Sequence, residues 1–142
     1  MSDIVMQVDA SASRDTVREA LTTHPGITGW WTDQAEVPSG TGGLLKPAFA
    51  EAPLPFDLQV QEANDSRVVW QPQSFPPHWV GTLISFELSD NPDASGSRIL
   101  FSHTGFKEGD PGMPSAAYTW GQTLARLKGY TETGKSQPYF VH

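Results

Sequence analysis

Residues 82–88, Thr-Leu-Ile-Ser-Phe-Glu-Leu, and residues 98–104, Arg-Ile-Leu-Phe-Ser-His-Thr, carry the pattern that decides the fold. Side chains alternate in character along both runs, which predicts two strands that each bury one face. The intervening residues are rich in Asp, Asn, Gly and Ser, which indicates an antiparallel hairpin. The predicted inner face carries Val80, Thr82, Ile84, Phe86 and Leu88 on one strand and Ile99, Phe101 and His103 on the other. The same parity predicts that Trp79 lies on the opposite face.

The C-terminal segment predicts a long helix over residues 115–133. Trp120, Leu124 and Leu127 form an apolar stripe at helical spacing, and Gly134 suits the position that ends a helix. Two long paired strands and a helix with an aromatic apolar face predict a concave sheet wrapped around a helix. Such an arrangement can enclose a cavity, and a cavity is where small molecules bind.

The rest of the chain predicts shorter elements. We expect a strand over residues 3–10, a helix capped by Ser13, a short helix or turn over residues 27–31, and a short strand around residues 43–49. Residues 56–61 and 67–71 predict a further hairpin. This order predicts an α+β fold with an antiparallel sheet, in a single domain spanning residues 1–142.

Composition excludes several classes of function. The chain has 16 acidic and 9 basic residues, a net charge of −7, and its basic residues are scattered. We therefore expect neither nucleic acid nor a membrane as a partner. Cysteine is absent and the four histidines are far apart in the sequence, so we expect no metal site and no cofactor. The N-terminus does not read as a signal peptide, and no apolar run approaches a transmembrane length, so we expect a cytoplasmic location.

Several strings resemble a known superfamily. They are Ile27-Thr-Gly-Trp-Trp-Thr32, Val68-Val-Trp70, Gly81 to Leu88, Ser97 to Phe106, and Trp120 to Gly134. Together they resemble the START-like, or SRPBCC, superfamily, in particular the branch named after the C-terminal domain of the activator of the heat-shock-protein ATPase. The resemblance implies a helix-grip fold, in which a curved antiparallel sheet grips a long C-terminal helix around a cavity. Its members include ligand binders and co-chaperone-like domains.

The candidate ligand-binding residues are mostly aromatic. Five Trp and seven Phe are many for a chain of 142 residues. Such rings serve either as core or as walls of an apolar pocket. For His103 we favour a structural, hydrogen-bonded histidine over a ligand anchor or a general base. The predicted ligand-binding set is Trp30, Trp31, Phe56, Trp70, Phe86, Phe101, His103, Trp120 and Leu124.

Three functions are compatible with these sequence features. The leading one is binding of a small hydrophobic, aromatic or lipid-like molecule in the cavity between sheet and helix. The second is a chaperone-associated protein-interaction module. The third is an enzyme of the polyketide cyclase type, for which His103 and Tyr118 are the candidate polar groups. No nucleophile motif is present, so we assign no catalytic residue, and the ligand and oligomeric state stay open.

Overall fold

The structure is a computed structural model that describes residues 2–142 and, of Ser2, the backbone alone. The elements are β1 (Ser2–Ala10), α1 (Arg14–Thr22), α2 (His24–Trp30), β2 (Ala35–Glu36), β3 (Leu44–Pro47), β4 (Leu58–Ala63), β5 (Arg67–Pro72), a 3₁₀ helix (Pro77–Trp79), β6 (Leu83–Asp90), β7 (Ser97–Phe106) and α3 (Met113–Thr133). The strands form an antiparallel sheet in the order β1-β7-β6-β5-β4-β3-β2. This is the predicted α+β helix-grip architecture.

The hairpin of β6 and β7 has the predicted register. Phe86 pairs with Phe101, and Ile84 pairs with His103. All four side chains are fully buried, whereas Glu87, which follows Phe86 on β6, is exposed. The alternation in the sequence therefore identified the inner face of this hairpin correctly, because both strands follow the regular period of two.

Helix α3 also follows its prediction. Trp120, Leu124 and Leu127 are buried against the sheet, and Gly134 ends the helix with a φ of 74°, a left-handed conformation that glycine adopts without strain. The helix begins at Met113, slightly before the predicted start, because Pro114 is compatible with a first helical turn.

The predictions for Trp79 and Val80 were wrong. Trp79 lies in the 3₁₀ helix and is only 8% exposed, whereas Val80 follows that helix and is 49% exposed. The prediction extended the strand alternation to residues before Leu83, where β6 begins. The prolines at 76 and 77 favour a turn over a continued strand, so the period of two does not extend to these residues.

The two N-terminal helices meet at Thr23. The Ser13 side chain caps α1, as predicted, by accepting a hydrogen bond from the Thr16 backbone. Thr23 ends α1 and caps α2 through a hydrogen bond from Gly26 N. Pro25 lies within the first turn of α2, which explains why α2 is longer than the predicted segment.

The C-terminal residues return to α2. The backbone N–H groups of Gln137, Tyr139 and Phe140 donate to the carbonyl oxygens of Gly29, Trp30 and Trp31 respectively. This pairing brings Phe140 next to the aromatic residues at the end of α2. Within residues 2–142, no helix combines the length and apolar character that crossing a bilayer requires.

Candidate functional site

All five tryptophans pack into one cluster between the sheet and α3. Trp31 stacks on Trp30 with ring centroids 5.6 Å apart, and on Trp70 at 5.5 Å. It also contacts Trp120 at 5.4 Å, and Trp120 in turn stacks on Trp79 at 6.0 Å. The tryptophan cluster therefore fills much of the space that the helix-grip arrangement could leave empty.

An open aromatic cleft of about 350 Å³ lies beside the tryptophan cluster. Its walls are the N-terminal half of α3, the loop after β3, the 3₁₀ helix and the C-terminal residues. Six aromatic side chains line it: Trp31, Phe49, Phe56, Trp79, Trp120 and Phe140. A concave, mostly apolar cleft of this size can enclose a small organic molecule.

The polar groups of the aromatic cleft are few. Glu51, His78, Ser115, Thr119 and Thr123 complete most of its lining, which includes neither lysine nor arginine. The Nε1 atom of Trp79 has no hydrogen-bond partner, but it is buried and presents no donor to solvent. Glu51 is the carboxylate residue in the lining of the cleft.

His103 lies in a buried chain of hydrogen bonds. Trp120 Nε1 donates to His103 Nδ1 at 3.1 Å, so Nδ1 accepts and the proton of the neutral ring is on Nε2. His103 Nε2 is 2.8 Å from Thr82 Oγ1, and Thr82 donates its own hydroxyl proton to the Trp79 carbonyl oxygen. These contacts use both ring nitrogens and fix the orientation of the Trp120 indole.

Burial lowers the pKa of His103. Its side chain is fully enclosed, and desolvation, followed by the electrostatic effect of nearby His78, lowers the pKa from 6.5 to about 3. The ring is therefore neutral at physiological pH, as the acceptor role of Nδ1 requires. This is the environment of a structural histidine.

The predicted ligand-binding residues fall into three groups. Trp31, Phe56 and Trp120 line the aromatic cleft. Trp70 lines a separate groove. The remaining five lie in the core and line neither opening; they are Trp30, Phe86, Phe101, His103 and Leu124.

The separate groove has a different chemical character. It measures about 610 Å³ and lies between α1 and the loop before β3, with Leu45, Val60 and Trp70 as its apolar part. Arg18 and Glu19 of α1 bring opposite charges to it. Mixed charges and a polar loop are typical of a solvated surface groove, whereas a ligand pocket is usually more apolar.

Three aromatic walls of the cleft were absent from the sequence-based set: Phe49, Trp79 and Phe140. Phe49 follows β3 in a proline-rich loop, and Phe140 lies beyond α3, so neither belongs to a periodic pattern. Trp79 was assigned to the wrong face, because the strand period does not reach it. The sequence feature that these three residues share is that they belong to an unusually large number of aromatic residues. Tyr118, the second polar group considered for catalysis, is 69% exposed and does not line the cleft.

Comparison with known proteins places this geometry in context. No family model and no curated protein sequence matches the chain. The solved structure of an Aha1 dimer from Colwellia psychrerythraea is 29% identical, with a TM-score of 0.84, covering 95% of this chain and 99% of that one. The protein has the START-like fold.

Other solved structures have a similar fold at lower sequence identity. A protein from Staphylococcus saprophyticus has a TM-score of 0.77 at 16% identity, covering 98% of each chain. DynU16, from the dynemicin biosynthetic locus, has a TM-score of 0.77 at 22% identity; the match covers all of this chain and 51% of DynU16. These likenesses confirm the fold predicted from the sequence resemblance.

Metal-ligating side chains are not clustered in the described part of this START-like chain. Among residues 2–142, no group of three or more His, Asp or Glu side chains is arranged to hold a metal ion.

Proposed function

We propose that the protein binds a small hydrophobic or aromatic molecule in the aromatic cleft. The observation that carries the proposal is the cleft of about 350 Å³ with six aromatic side chains in its lining. Burial of apolar surface supplies the driving force, and ring contacts add to it. Ligands enter beside α3, and the tryptophan cluster forms the inner wall.

His103 has an indirect role in this proposal. Its contact with Trp120 Nε1 orients a ring that lines the cleft, while its own ring stays in the core. We therefore expect His103 to influence binding through the position of Trp120. The cyclase-type alternative loses support, because neither His103 nor Tyr118 lines the cleft.

A blocking variant tests the proposal. Ser115 is exposed and lines the cleft, so Ser115→Phe places a ring where the ligand would sit. The matched control is Gln122→Phe, because Gln122 is exposed on the same helix and does not line the cleft. Binding is measured by tryptophan fluorescence and thermal shift across a library of neutral hydrophobic compounds.

The expected result is binding to the natural sequence and to Gln122→Phe, and at least tenfold weaker binding to Ser115→Phe. Equal binding to both variants would place the ligand elsewhere. Absence of any fluorescence or melting change with the natural sequence would count against a binder.

Two observations support the alternative that the protein is an interaction module. The Aha1 structure of Colwellia psychrerythraea is a dimer. In this chain Val5 is 62% exposed and Leu100 is 39% exposed, and both lie on the outward face of the β1–β7 pair. Light scattering of the natural sequence and of Val5→Glu distinguishes self-association through this face from a monomer. A mass above the monomer that Val5→Glu abolishes would identify this face as a surface for self-association, and a monomer would remove this support for an interaction module.

A further inference from the structure

The formal charge at the aromatic cleft comes from carboxylates, and His78 is the basic residue in its lining. Glu51 lines the cleft, and lysine and arginine are absent from its lining. A second carboxylate lies at the same edge, because Asp110 Oδ1 accepts a hydrogen bond from the backbone N–H of Gly112, itself a lining residue, at 2.8 Å. The whole chain adds a net charge of −7. The electrostatic potential in the cleft therefore favours a positive charge.

The rings around the cleft stand at different angles. Phe49 is tilted by 58° to Trp31, by 55° to Phe56 and by 76° to Phe140. They therefore form walls of different orientation around the opening, and they do not form one flat stack. Aromatic walls attract a cation, because each ring carries negative charge density on its face.

We propose that the preferred ligand class of the cleft is an organic cation, such as an aryl- or alkylammonium. This inference rests on the proposed function of the same cleft and adds a charge to its ligand. The apolar substituents of the cation contact the rings. The charged nitrogen lies within the aromatic walls, on the side of Glu51.

An anion or a neutral hydrocarbon would make fewer favourable interactions in the cleft than an organic cation. An anion finds neither lysine nor arginine in the lining and meets the negative potential of Glu51 and Asp110. The buried Nε1 of Trp79 is not accessible to an acceptor. A neutral hydrocarbon gains the apolar contacts, but it gains nothing from the carboxylates or from the charge density on the ring faces.

Two probes of the same shape isolate the charge. Phenyltrimethylammonium and tert-butylbenzene differ by the replacement of a charged nitrogen with carbon. Each is titrated into the protein at pH 8 and low salt, and the indole N–H signals in a proton–nitrogen NMR spectrum report binding. We expect the cation to bind on the order of tenfold more tightly than its neutral isostere, as cation–π contacts predict.

Charge variants separate a local effect from a global one. Glu51→Gln should weaken binding of the cation about two- to fivefold at low salt, the range of an exposed charge pair, and leave tert-butylbenzene unaffected. Glu87→Gln is the matched control, because Glu87 is exposed on β6 outside the cleft and its removal changes the net charge equally. We expect it to leave both affinities unchanged.

The outcomes separate this inference from the function on which it rests. Equal or tighter binding of tert-butylbenzene would overturn the cation preference while the cleft remained a hydrophobic binding site. If neither probe shifted any indole signal, both proposals would fail. A loss of cation binding in Glu87→Gln as large as in Glu51→Gln would show that net charge, and not the cleft, attracts the cation.

Discussion

At the scale of the residue, Trp120 connects the sheet, the tryptophan cluster and the cleft. Its ring lies 4.7 Å from that of Phe101 on β7, and its Nε1 donates to His103. It also lines the cleft while remaining 3% exposed. One side chain thus contributes both to stability and to the shape of the proposed site.

Replacement of Trp120 by alanine should lower the free energy of unfolding by about 3–5 kcal/mol, because a large packed ring is lost. Chemical denaturation measures the change. Tyr118→Ala is the control, since Tyr118 is exposed on the same helix; its effect should stay within about 0.5 kcal/mol. Equal effects of the two substitutions would contradict the packing role of Trp120.

The buried His103 predicts a dependence of stability on pH. Its native pKa is about 3 against an ordinary value of 6.5, so between these values the unfolded chain binds a proton that the native protein does not. Stability from this group is complete above pH 6.5 and is lost as pH falls toward 3. The slope reaches up to about 1.4 kcal/mol per pH unit.

The variant His103→Gln isolates this contribution, because other titrating groups are common to both proteins. Urea denaturation at pH 7, 6, 5 and 4 should show the stability advantage of the natural sequence shrinking as pH falls. A difference between the two proteins that stays constant over this range would show that His103 does not titrate as its burial requires.

At the scale of the element, the β6–β7 hairpin depends on Gly96. This residue has a φ of 101°, and a Cβ there would lie 2.1 Å from the carbonyl oxygen of Ala10. On the surface of α3, by contrast, a Cβ at Gly121 would meet nothing within 4 Å. The two glycines therefore occupy opposite environments, one required by close approach of the backbone and one in open space.

Alanine at these two positions should have effects of opposite sign. Gly96→Ala should destabilise the protein by about 1–3 kcal/mol through backbone strain and the clash with the residues after β1. Gly121→Ala should stabilise it by about 0.5–1 kcal/mol, because alanine favours a helix interior. Thermal or chemical denaturation measures both. Stabilisation by Gly96→Ala would contradict the described turn.

The elements with a regular period were predictable, and those without one were not. Ile84, Phe86, Phe101 and the stripe of α3 repeat at intervals that the sequence displays. Trp79 failed because a proline-rich turn interrupts the strand period just before β6. The periodicity of apolar residues therefore predicted the sheet and the long helix. It gave no correct prediction for the irregular backbone before β6.

At the scale of the whole molecule, the cleft is assembled from distant segments. Phe49, Trp79, Trp120 and Phe140 come from four parts of the chain, and only the tertiary fold brings them to one opening. The sequence predicted three of the cleft residues, Trp31, Phe56 and Trp120. It could not distinguish them from core rings such as Trp30 and Phe86, because core and pocket side chains share the same inward face.

The five tryptophans allow one direct test of the central claim that the aromatic cleft binds ligands. Their indole N–H signals can be followed by NMR during titration with phenyltrimethylammonium and tert-butylbenzene. We predict shifts for Trp31, Trp79 and Trp120, which line the cleft, and little change for Trp30, which is buried and does not line it. Unchanged signals for all three cleft tryptophans with both probes would contradict that claim.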